Sequence, residues 1–532
     1  MLRLDAGHRH PPLPLHGSAT SRAIEQAALA GLPPHRLMQR AARSVAALAR
    51  ALQPHARQIW VACGPGNNGG DGLLAAALLR AQLPQSRVTV SWQGDEARLP
   101  DDARHALQQA RAAGLEFTEQ PPADFDLGID ALLGLGGRGL EAGPLADWMR
   151  ALQQTRSTVL CVDLPSGLDC DSGAWRNPFE AVPMGPRHTL SLLTLKPGLF
   201  TADGRDAAGQ VWLDRLGIAP DLAPPDAWLN APEAEPGAPR QQRHGAHKGS
   251  HGDLLVLGGQ DVSVDGHGMS GAALLAARAG LQSGAGRVYL GLLGAGPATP
   301  ALDPLWPELM FRPAQASAEG ELAVQATTVC GCGGGESVRA VLPALLEQSP
   351  RLVLDADALN ALARQADWRA QLSRRRARGQ HSILTPHPLE AARLLGCSSA
   401  QVQADRLRAA RELARQFQCV VVLKGSGSVI AAPEQPPLIN PTGNALLATA
   451  GTGDVLAGMV GAYWAQNAAC HRPDRTASAM PVRGQDKGQD GGLALQAARQ
   501  AAWQHGALAD RWPQGRGLRA GDLLAGLAPW PG

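Results

Sequence analysis

A glycine-rich stretch late in the chain carries a single charged residue. Residues 442–461 read TGNALLATAGTGDVLAGMVG, and Asp454 is followed by an apolar helix predicted over residues 455–464. The first N–H groups of a helix lack partners and favour an anion, and glycine lets a phosphate approach them, so this stretch is interpreted as a phosphate cradle. Asp454 would accept the proton of an attacking hydroxyl in phosphoryl transfer. The alternative is a buried helix that Asp454 merely caps.

A second phosphate-binding candidate follows an apolar strand predicted over residues 419–423. It consists of Lys424, Gly425, Ser426, Gly427 and Ser428. The Lys424 ammonium could neutralise phosphate charge while the N–H groups that follow it contact phosphate oxygens. The alternative is a lysine at a solvated strand end.

Other polar residues of the second half also follow predicted strands. Asp355 and Asp357 come after one strand, and His387 stands between two prolines after the next. The two aspartates are interpreted as caps of the following helix. His387 is either a hydrogen-bonding loop residue or a substrate contact.

In the first half, the sequence GPGNNGGDG separates an apolar strand at residues 58–63 from a helix predicted over residues 73–82. Strand, glycine loop and helix form the arrangement that binds phosphates at the carboxyl edge of a parallel sheet. Asn67, Asn68 and Asp71 could hydrogen-bond sugar hydroxyls or bind a hard monovalent cation. A tight turn would also need glycine and asparagine. A tight turn does not need two adjacent asparagines, so we interpret the segment as a loop that binds a ligand.

Two carboxylates of the first half end predicted strands. Asp130 lies in GIDALLGLGGRG and Asp163 in VDLPSGLD. Each alone would be a helix cap or a turn residue. Because the strand ends of a doubly wound sheet converge on one crevice, Asn68, Asp130, Asp163 and Ser166 are predicted to lie together. Oxygen ligands of this kind suit a hard cation rather than zinc.

Alternating helices and strands must position these residues. Two helices are predicted within residues 18–50, separated at residues 31–34, with Ser21 capping the first. One face of the second is predicted to be buried, through Leu37, Met38, Val45 and Leu48. The other predicted strands are residues 87–92, 125–130, 158–163, 188–194, 254–257, 287–290, 327–330, 351–354 and 382–384. The pattern predicts an α/β protein with two layered sheets.

The length of the chain, 532 residues, is too great for a single core. Residues 218–243 contain six prolines and little apolar periodicity, so a stiff exposed linker is predicted over residues 219–243. The predicted domains are residues 1–218 and 244–532. Residues 465–492 are polar and rich in glycine and charge, and they are predicted to form an exposed insertion between two helices.

Charge and cysteine content narrow the class of protein. The chain has 49 basic and 47 acidic residues, a net charge of +2, which argues against a nucleic-acid-binding or membrane-surface protein. Its eight cysteines show no paired framework and fit reduced thiols in the cytoplasm. The first residues lack the apolar core of a signal peptide, and no stretch reads as a membrane span.

The motifs GPGNNGGDG, GIDALLGLG and VDLPSGLD resemble the epimerase domain of the NAD(P)H-hydrate repair family over about residues 18–218. The resemblance implies a Rossmann-like doubly wound sheet and a K⁺ site formed by Asn68, Asp130 and Ser166. It implies that Asp163 is the acid/base at C6 of the hydrated nicotinamide. It also implies substrate contacts from Asn67, Asn68, Gly69, Gly70, Asp71, Gly134, Leu135, Gly136, Gly137, Arg138, Gly139 and Leu140.

The motifs LDADALN, ILTPHPLEAARLLG, VVLKGSGSVI and TGNALLATAGTGDVLAGMVGA resemble the ribokinase-like dehydratase of the same family over about residues 240–526. This resemblance implies a ribokinase-like α/β domain that uses ADP together with Mg²⁺. The hydrate would contact Ala272, Gly333, His387 and Asp454. The adenine nucleotide would contact Gly453 and Lys424, Gly425, Ser426, Gly427 and Ser428. Where the family usually has Gly-Pro-Gly, this chain has Cys330-Gly-Cys-Gly-Gly.

The expected activity is two-step repair of hydrated NADH and NADPH. The first domain would interconvert the R and S epimers at C6. The second would phosphorylate the S hydroxyl with ADP, and loss of phosphate would restore the coenzyme. The alternative is a small-alcohol kinase joined to a non-catalytic nucleotide-binding module.

Small-molecule partners, no nucleic acid, no membrane and a homo-oligomer are expected. The oligomer size, the NADH or NADPH preference, the ADP or ATP preference and the chemical route of epimerisation stay open on the sequence alone.

Overall fold

The computed structural model describes residues 1–4, 11–136, 139, 142–219, 222–231, 244, 246–294, 296, 302–471 and 489–527. The chain divides into two compact units, the first built mainly from Pro14–Leu229 and the second mainly from Asn230–Gly532. Most of the predicted linker (219–243) and most of the predicted insertion (465–492) lie outside the described residues. Within the linker, Ala227–Leu229 form a strand and Ala227, Leu229, Asn230 and Ala231 are buried, so the prediction of an exposed segment is wrong there.

The first unit contains short strands that alternate with helices. Its strands are β1 (Leu2–Arg3), β2 (Leu13–Leu15), β3 (Gln58–Cys63), β4 (Arg87–Trp92), β5 (Glu116–Phe117), β6 (Leu127–Ala131), β7 (Thr158–Val162), β8 (Arg187–Leu192), β9 (Gln210–Asp214) and β10 (Ala227–Leu229). Its helices are α1 (Ser18–Ala30), α2 (Arg36–Leu52), α3 (Asn67–Gln82), α4 (Asp101–Ala112), α5 (Pro144–Gln154) and α6 (Gly204–Ala207).

Eight of these strands form one sheet in the order β1-β9-β8-β7-β6-β3-β4-β5. Strand β1 is antiparallel to β9, and the other pairs are parallel. The chain runs from β3 outward to β4 and β5 and then returns to β6, so the strand order reverses between β3 and β6. Ligands of open α/β sheets bind at such a point, outside the carboxyl ends of the strands. The predicted doubly wound sheet is confirmed.

Helix α2 covers one face of this sheet with its apolar side. The four residues predicted to form that side are all buried: Leu37, Met38, Val45 and Leu48. They pack with residues of β3 and α3 in one hydrophobic core. The 3.6-residue periodicity thus predicts the buried side of α2 correctly.

The predicted cap of the first helix is wrong. Helix α1 begins at Ser18, with Gly17 in the capping position and no side-chain cap. The hydroxyl of Ser21 instead donates to the His16 carbonyl at 3.1 Å and hydrogen-bonds with the Thr194 hydroxyl at 2.8 Å. Serine followed by Glu25 resembles a capping box in sequence, but here the serine is a buried residue inside the helix.

Helix α3 begins earlier than predicted, at Asn67 rather than Leu73. The Asn- and Gly-rich segment therefore forms the first turns of the helix and not a loop. A Cβ on Gly72 would lie 2.5 Å from the Cβ of Ala131. Glycine at this position lets the start of α3 lie directly against the end of β6.

The second unit repeats the alternation. Its strands are β11 (Asp253–Gly258), β12 (Arg287–Leu292), β13 (Met310–Phe311), β14 (Thr327–Cys330), β15 (Arg351–Leu354), β16 (His381–Leu384), β17 (Val420–Leu423), β18 (Val429–Ala431) and β19 (Leu438–Ile439). Its helices are α7 (Val262–Asp265), α8 (Ser270–Gln282), α9 (Ala314–Glu319), α10 (Glu321–Gln325), α11 (Val338–Gln348), α12 (Ala356–Arg364), α13 (Ala366–Arg374), α14 (Pro388–Leu395), α15 (Ser399–Ala404), α16 (Arg406–Phe417), α17 (Thr452–Cys470), α18 (Gln489–Asp510) and α19 (Ala520–Gly526).

The strands of the second unit follow one another across its sheet in the order β13-β12-β11-β14-β15-β16-β17-β18-β19. Pairing is parallel from β13 to β17 and antiparallel from β17 to β19. The order reverses between β11 and β14. Loops after β14, β15, β16 and β17 therefore meet at one edge, which is where the sequence places the candidate residues of this half.

Helix α17 packs closely against α8 in the second unit. It is longer than predicted, because residues 465–470, assigned to an insertion on sequence grounds, continue the helix to Cys470. A Cβ on Gly458 would lie 2.0 Å from the Ala276 carbonyl oxygen. Glycine at this position allows the two helix backbones to approach.

None of the helices within the described ranges combines the length and apolar character that crossing a membrane requires.

The packing of α17 on α8 predicts that Gly458→Ala destabilises the second unit. The added methyl would have to displace backbone, which costs about 1–3 kcal/mol and outweighs the gain in helix propensity. Thermal unfolding measures the effect. Gly271→Ala in α8 is the matched control, because a Cβ there meets nothing within 4 Å. Equal unfolding temperatures for the two variants would contradict the close approach.

Candidate functional sites

A cavity of about 410 Å³ lies at the carboxyl ends of β3, β6 and β7 in the first unit. We call it the carboxylate cavity, because its charged lining includes Glu25, Asp71, Asp102, Asp163 and Lys196. Five of the predicted substrate contacts also line it: Asn67, Asn68, Gly134, Leu135 and Gly136. The structure therefore brings the start of α3, the segment after β6 and the residue after β7 together.

Asp163 stands directly after β7 in left-handed backbone conformation, with φ +67°. Its Oδ1 accepts hydrogen bonds from the Leu192 N–H at 2.9 Å and from the Lys196 ammonium. Lys196 is only 1% exposed, and it also donates to the Leu192 carbonyl at 2.8 Å. Positive φ costs a non-glycine residue about 1–3 kcal/mol and persists where the surroundings enforce it. One oxygen of Asp163 is thus fixed, and no hydrogen bond from a described residue uses the other.

Two further carboxyl groups of the cavity have raised pKa values. Burial raises the pKa of Asp71 well above its ordinary range, and the neighbouring Asp163, Glu25 and Asp102 add to the effect. Burial also raises the pKa of Glu25, with Asp163 again adding to it. Asp163, by contrast, has a cationic partner in Lys196. The cavity therefore holds carboxyl groups in unlike electrostatic surroundings.

Asp130 ends β6 as a fully buried carboxylate. Ser166 donates its N–H to Oδ2 at 2.9 Å and its hydroxyl to Oδ1 at 2.6 Å, and the Leu132 N–H reaches Oδ1 at 3.3 Å. Burial still raises the pKa of Asp130, because these hydrogen bonds offset only part of the desolvation of its charge.

The surroundings of Asp130 fit a monovalent cation. The side chain of Asn68 lies next to Gly134, with its Cγ atom 3.5 Å from the position that a Cβ on Gly134 would take. The residue before Gly134, Leu133, donates its N–H to the Ser166 hydroxyl. The buried Nδ2 of Asn68 has no hydrogen-bond partner among the described residues. Amide nitrogen and oxygen exchange places by a flip of the side chain, so this position can present oxygen. An under-compensated carboxylate and an unpartnered buried amide are groups of the kind that a hard cation would satisfy.

Three predicted contact residues serve close packing. A Cβ added to Gly69 or to Gly139 would lie 2.0 Å from a backbone oxygen of another residue. A Cβ added to Gly70 would lie 2.7 Å from the Met38 side chain. Three other predicted contacts lie outside the described residues: Gly137, Arg138 and Leu140.

In the second unit, Asp454 stands in the first turn of α17. Gly451, at φ +89°, occupies the capping position, so the interpretation of Asp454 as the cap is wrong. The Sγ atom of Cys332 and carboxylate oxygens of Asp355 and Asp454 lie within 4.8 Å of one another. Burial raises the pKa of Asp454 to about 6, and the charge of Asp355 adds to the effect. Asp454 is therefore a stronger base than an exposed aspartate.

Lys424 follows β17 and donates to Asp355 Oδ1 at 2.7 Å. Burial alone would lower the pKa of Lys424, but Asp355 and Glu390 outweigh it and the pKa is raised. A Cβ on Gly453 would lie 3.3 Å from the Lys424 ammonium. The ammonium is thus held beside the first turn of α17, and it is not at a solvated strand end.

The two aspartates interpreted as helix caps differ in the structure. Asp355 occupies the capping position of α12 but forms no capping hydrogen bond, and it is committed to Lys424 instead. Asp357 lies in the first turn of α12 and accepts the Gly335 N–H at 2.9 Å. This hydrogen bond connects the loop after β14 to the first turn of α12.

The buried side chain of Arg406 supports the loop after β17. It donates to the Leu423 and Lys424 carbonyls at 3.3 and 3.2 Å. Gly425 has φ +139°, and a Cβ there would lie 2.7 Å from an Arg406 nitrogen. The Lys424 N–H is already used by the Pro386 carbonyl at 2.9 Å. The Lys424 N–H is therefore not available to an anion.

His387 caps α14 and is held by Glu390. Its Nδ1 accepts the Leu389 N–H at 3.1 Å, and its Nε2 lies 3.3 Å from Glu390 Oε1. Burial lowers the pKa of His387 and raises that of Glu390 to about 7. Ala272 and Gly333 are adjacent, since a Cβ on Gly333 would lie 2.8 Å from the Ala272 Cβ.

Several residues of the two sites were missed by the sequence reasoning. Lys196 stands in a Lys-Pro-Gly sequence that gives no sign of its contact with Asp163, and Glu25 lies on a helix remote in sequence. Cys332 was noted only as a departure from the family pattern. The one signal that sequence offers for Lys196 is a charged residue within an otherwise apolar segment, which points to burial but not to a partner.

Comparisons with known proteins match both units. The family described as NAD(P)H-hydrate dehydratase matches residues 254–527, more than half of the chain, and the family described as YjeF-related protein N-terminus matches residues 34–198. The bifunctional NAD(P)H-hydrate repair enzyme Nnr of Escherichia coli (strain K12) is 35% identical over 450 residues, which cover 83% of this chain and 83% of that protein.

The protein of the same name from Vibrio cholerae serotype O1 is 32% identical over 542 residues and covers 97% of this chain and 98% of its own. A solved structure of the ADP/ATP-dependent NAD(P)H-hydrate dehydratase of Bacillus subtilis, co-crystallised with ATP/Mg²⁺, is 29% identical and covers 54% of this chain and 92% of its own, with a TM-score of 0.41. The family matches and the Escherichia coli and Vibrio relatives favour repair over the alternative of a small-alcohol kinase. The chain belongs to the family of bifunctional NAD(P)H-hydrate repair enzymes.

Proposed function

We propose that the two units divide the repair of hydrated NADH and NADPH between them. The carboxylate cavity of the first unit epimerises the hydrate at C6, and the Asp454 site of the second unit dehydrates the S epimer with ADP, releasing AMP and phosphate. The observation that carries the proposal is a carboxylate positioned for proton transfer at the switch-point edge of each sheet. In the first unit Lys196 binds the carboxylate of Asp163 itself. In the second unit Lys424 binds Asp355, which neighbours Asp454.

In the first unit, Asp163 exchanges protons with the group at C6. Its free oxygen is available to the ligand while the other is held by Lys196 and the Leu192 N–H. The substrate lies along Asn67, Asn68, Asp71 and the segment Gly134–Gly136, which line the cavity. The proposed contacts with Gly137, Arg138, Gly139 and Leu140 extend this segment.

A K⁺ ion at the first site would be held by Asn68, Asp130 and Ser166. Support comes from the buried, under-compensated carboxylate of Asp130 and the unpartnered amide of Asn68. When bound, the ion supplies fixed positive charge beside the cavity.

In the second unit, Asp454 takes the proton of the C6 hydroxyl of the S hydrate. The oxygen attacks the terminal phosphorus of ADP, and AMP leaves. Phosphate then departs from C6 with the electron pair of the C–O bond, while C5 loses a proton, so the reduced nicotinamide is restored. Ala272, Gly333 and His387 would contact the hydrate beside Asp454.

The nucleotide would lie on Lys424 and the loop Gly425, Ser426, Gly427 and Ser428, beside Gly453. The Lys424 ammonium, 3.3 Å from a Cβ position of Gly453, supplies charge for the phosphates at the start of α17. Mg²⁺ would accompany the nucleotide, because the charge that spreads over a transferring phosphoryl group needs a divalent partner.

The protein is further proposed to be a cytoplasmic homo-oligomer with small-molecule substrates and neither a nucleic-acid nor a membrane partner. The balanced net charge and the free thiols of all eight cysteines support the compartment and the partner class. The oligomeric state stays a prediction, as do domain limits at residues 218 and 244.

The division of labour predicts opposite defects for Asp163→Asn and Asp454→Asn. With mixed R and S hydrate, ADP and Mg²⁺, Asp163→Asn should convert only the S fraction to NADH. Asp454→Asn should equilibrate the epimers but form no NADH. Each affected rate should fall about 10²–10⁴-fold, the usual contribution of a proton-transfer group. The absorbance of reduced nicotinamide and chromatography of the epimers report the two steps, and each variant is the control for the other. Coenzyme formation by Asp454→Asn at the wild-type rate would contradict the assignment.

The raised pKa of Asp454 predicts the pH dependence of dehydration. Asp454 must be ionised to accept a proton, so kcat/KM should be constant above neutral pH and should fall as the pH drops through about 6. Initial rates of NADH formation from pure S hydrate measure the profile, with hydrate affinity followed in parallel. A profile that is flat between pH 5 and pH 8 (roughly one unit below to two above that pKa) would exclude Asp454 as the base.

The Lys424–Asp355 pair predicts a large loss of stability in Lys424→Met. Removing one partner leaves a buried carboxylate unpaired, which costs about 3–5 kcal/mol. Lys424→Met/Asp355→Asn should recover part of this loss but not ADP-dependent activity. Arg364→Met is the matched control, because Arg364 pairs with Glu336 on the surface and should change stability by less than about 1 kcal/mol. Thermal unfolding and NADH formation separate the two effects, and a double variant no more stable than the single one would contradict the pairing.

A further inference from the structure

Asp71 occupies an unusual position in the carboxylate cavity. It lines the cavity from α3, yet it forms no hydrogen bond or ion pair with any residue in the described ranges. The charged groups that face it are Glu25 and Arg22 from α1, Asp102 from α4, and Asp163 and Lys196 from the ends of β7 and β8. Asp102 is occupied by His35 at 2.6 Å and Asp163 by Lys196. Asp71 is thus a carboxyl group that no structural contact requires.

Asp71 and Asp163 reach the cavity from two sides. Helix α3, which carries Asp71, follows β3, and Asp163 follows β7, with β6 between these strands in the sheet. Strands lie about 4.7–4.9 Å apart, so β3 and β7 are separated by about 10 Å. The strand ends therefore bound a cleft wide enough to admit a flat ring, and its lining includes Asp71 from α3 and Asp163 from the end of β7. Inverting glycosidases use carboxyl groups about 6.5–9.5 Å apart in a comparable way, with a water on one face.

The two groups differ in their charged neighbours. The Lys196 ammonium contacts Asp163 directly, whereas the neighbours of Asp71 in the cavity are mostly acidic. Burial and like charge raise the pKa of Asp71, so it keeps its proton where an ordinary aspartate has lost it. Two carboxyl groups whose surroundings separate their protonation states form an acid and base pair.

We propose that Asp71 is the second proton-transfer residue of the epimerisation, acting on the face of the nicotinamide ring opposite Asp163, and that the reaction proceeds by reversible loss of water. The inference rests on the epimerase function proposed above for this cavity. Inversion at C6 requires departure from one face and addition to the other. A carboxyl group that is fixed in place can transfer protons on only one face of the ring. Two carboxyl groups are therefore needed for the two faces.

The steps balance without a further reactant. Asp71 gives its proton to the C6 hydroxyl, the C6–O bond breaks, and water leaves with the electron pair while the N1 lone pair forms a second bond to C6. Another water molecule adds to the opposite face of C6 and gives its proton to Asp163. Asp71 is left ionised and Asp163 protonated, and water in the cavity returns the proton. The opposite epimer follows the same steps in reverse, starting from the state in which Asp163 holds the proton and Asp71 is ionised.

The test compares Asp71→Asn with wild type, starting from pure R hydrate without ADP. Asparagine keeps the shape and neutrality of a protonated aspartate, so hydrate affinity measured by calorimetry should change less than about threefold. The epimerisation rate should fall about 10²–10⁴-fold. The wild-type rate should decline at high pH as Asp71 loses its proton, and the variant should lack that decline. In heavy-oxygen water, every inversion by the wild-type enzyme should place solvent oxygen on C6.

Two further variants make the outcome decisive. Asp101→Asn, an exposed residue of α4 paired with Arg104, is the control and should epimerise at the wild-type rate. Inversion with retention of the original C6 oxygen, or a larger loss in Glu25→Gln than in Asp71→Asn, would overturn the assignment of Asp71. Failure of the epimerase function itself gives a different result, since wild type and Asp163→Asn would then be equally slow.

Discussion

The desolvation of carboxylates at the edges of two parallel sheets is the constraint on which both sites depend. Parallel strands end side by side, so acidic residues that follow them are buried close to one another, where each additional charge is harder to accommodate. The fold compensates these charges unequally. Asp163 and Asp355 each receive a lysine, Asp130 receives hydrogen bonds from Ser166, and Asp71 and Asp454 receive little. Where compensation is least, at Asp71 and Asp454, the pKa of the carboxyl group is raised.

Both units pair a lysine with an aspartate at a strand end, but the partner of the lysine differs in function. In the first, the lysine binds the acid/base itself, so Asp163 is held by its partner in one orientation. In the second, the lysine binds Asp355 and leaves the neighbouring Asp454 with a pKa of about 6. A group that must both take and give protons benefits from fixed geometry. A group that must only take one benefits from a pKa close to the working pH.

The sequence predicts the fold and the motif residues well, and it fails where contacts are long-range. Strand periodicity places Asp130 near the end of β6 and Asp163 directly after β7, and parallel topology brings Asp130 into contact with Ser166. Asn68 and Asp163 line one cavity, whereas the grouping of all four residues stays a prediction. The start of α3 was missed, since a glycine-rich segment resembles a loop until its packing against β6 is known. The contact of Lys196 with Asp163 spans 33 residues and depends on the turn after β8, so local sequence does not specify it. The proximity of Cys332 to Asp454 depends in the same way on how the loop after β14 folds.

The burial of Lys196 has a consequence for how this family can diverge. With the lysine 1% exposed, loss of either member of its pair with Asp163 strands the other charge in the interior, at a cost of about 3–5 kcal/mol, a large share of the stability of a typical domain. A lineage that abandons the first reaction therefore cannot lose the acid by a single neutral substitution. It must exchange both positions, or pass through an unstable intermediate. The acid and its lysine are expected to be inherited as one unit, even in descendants for which the chemistry no longer matters.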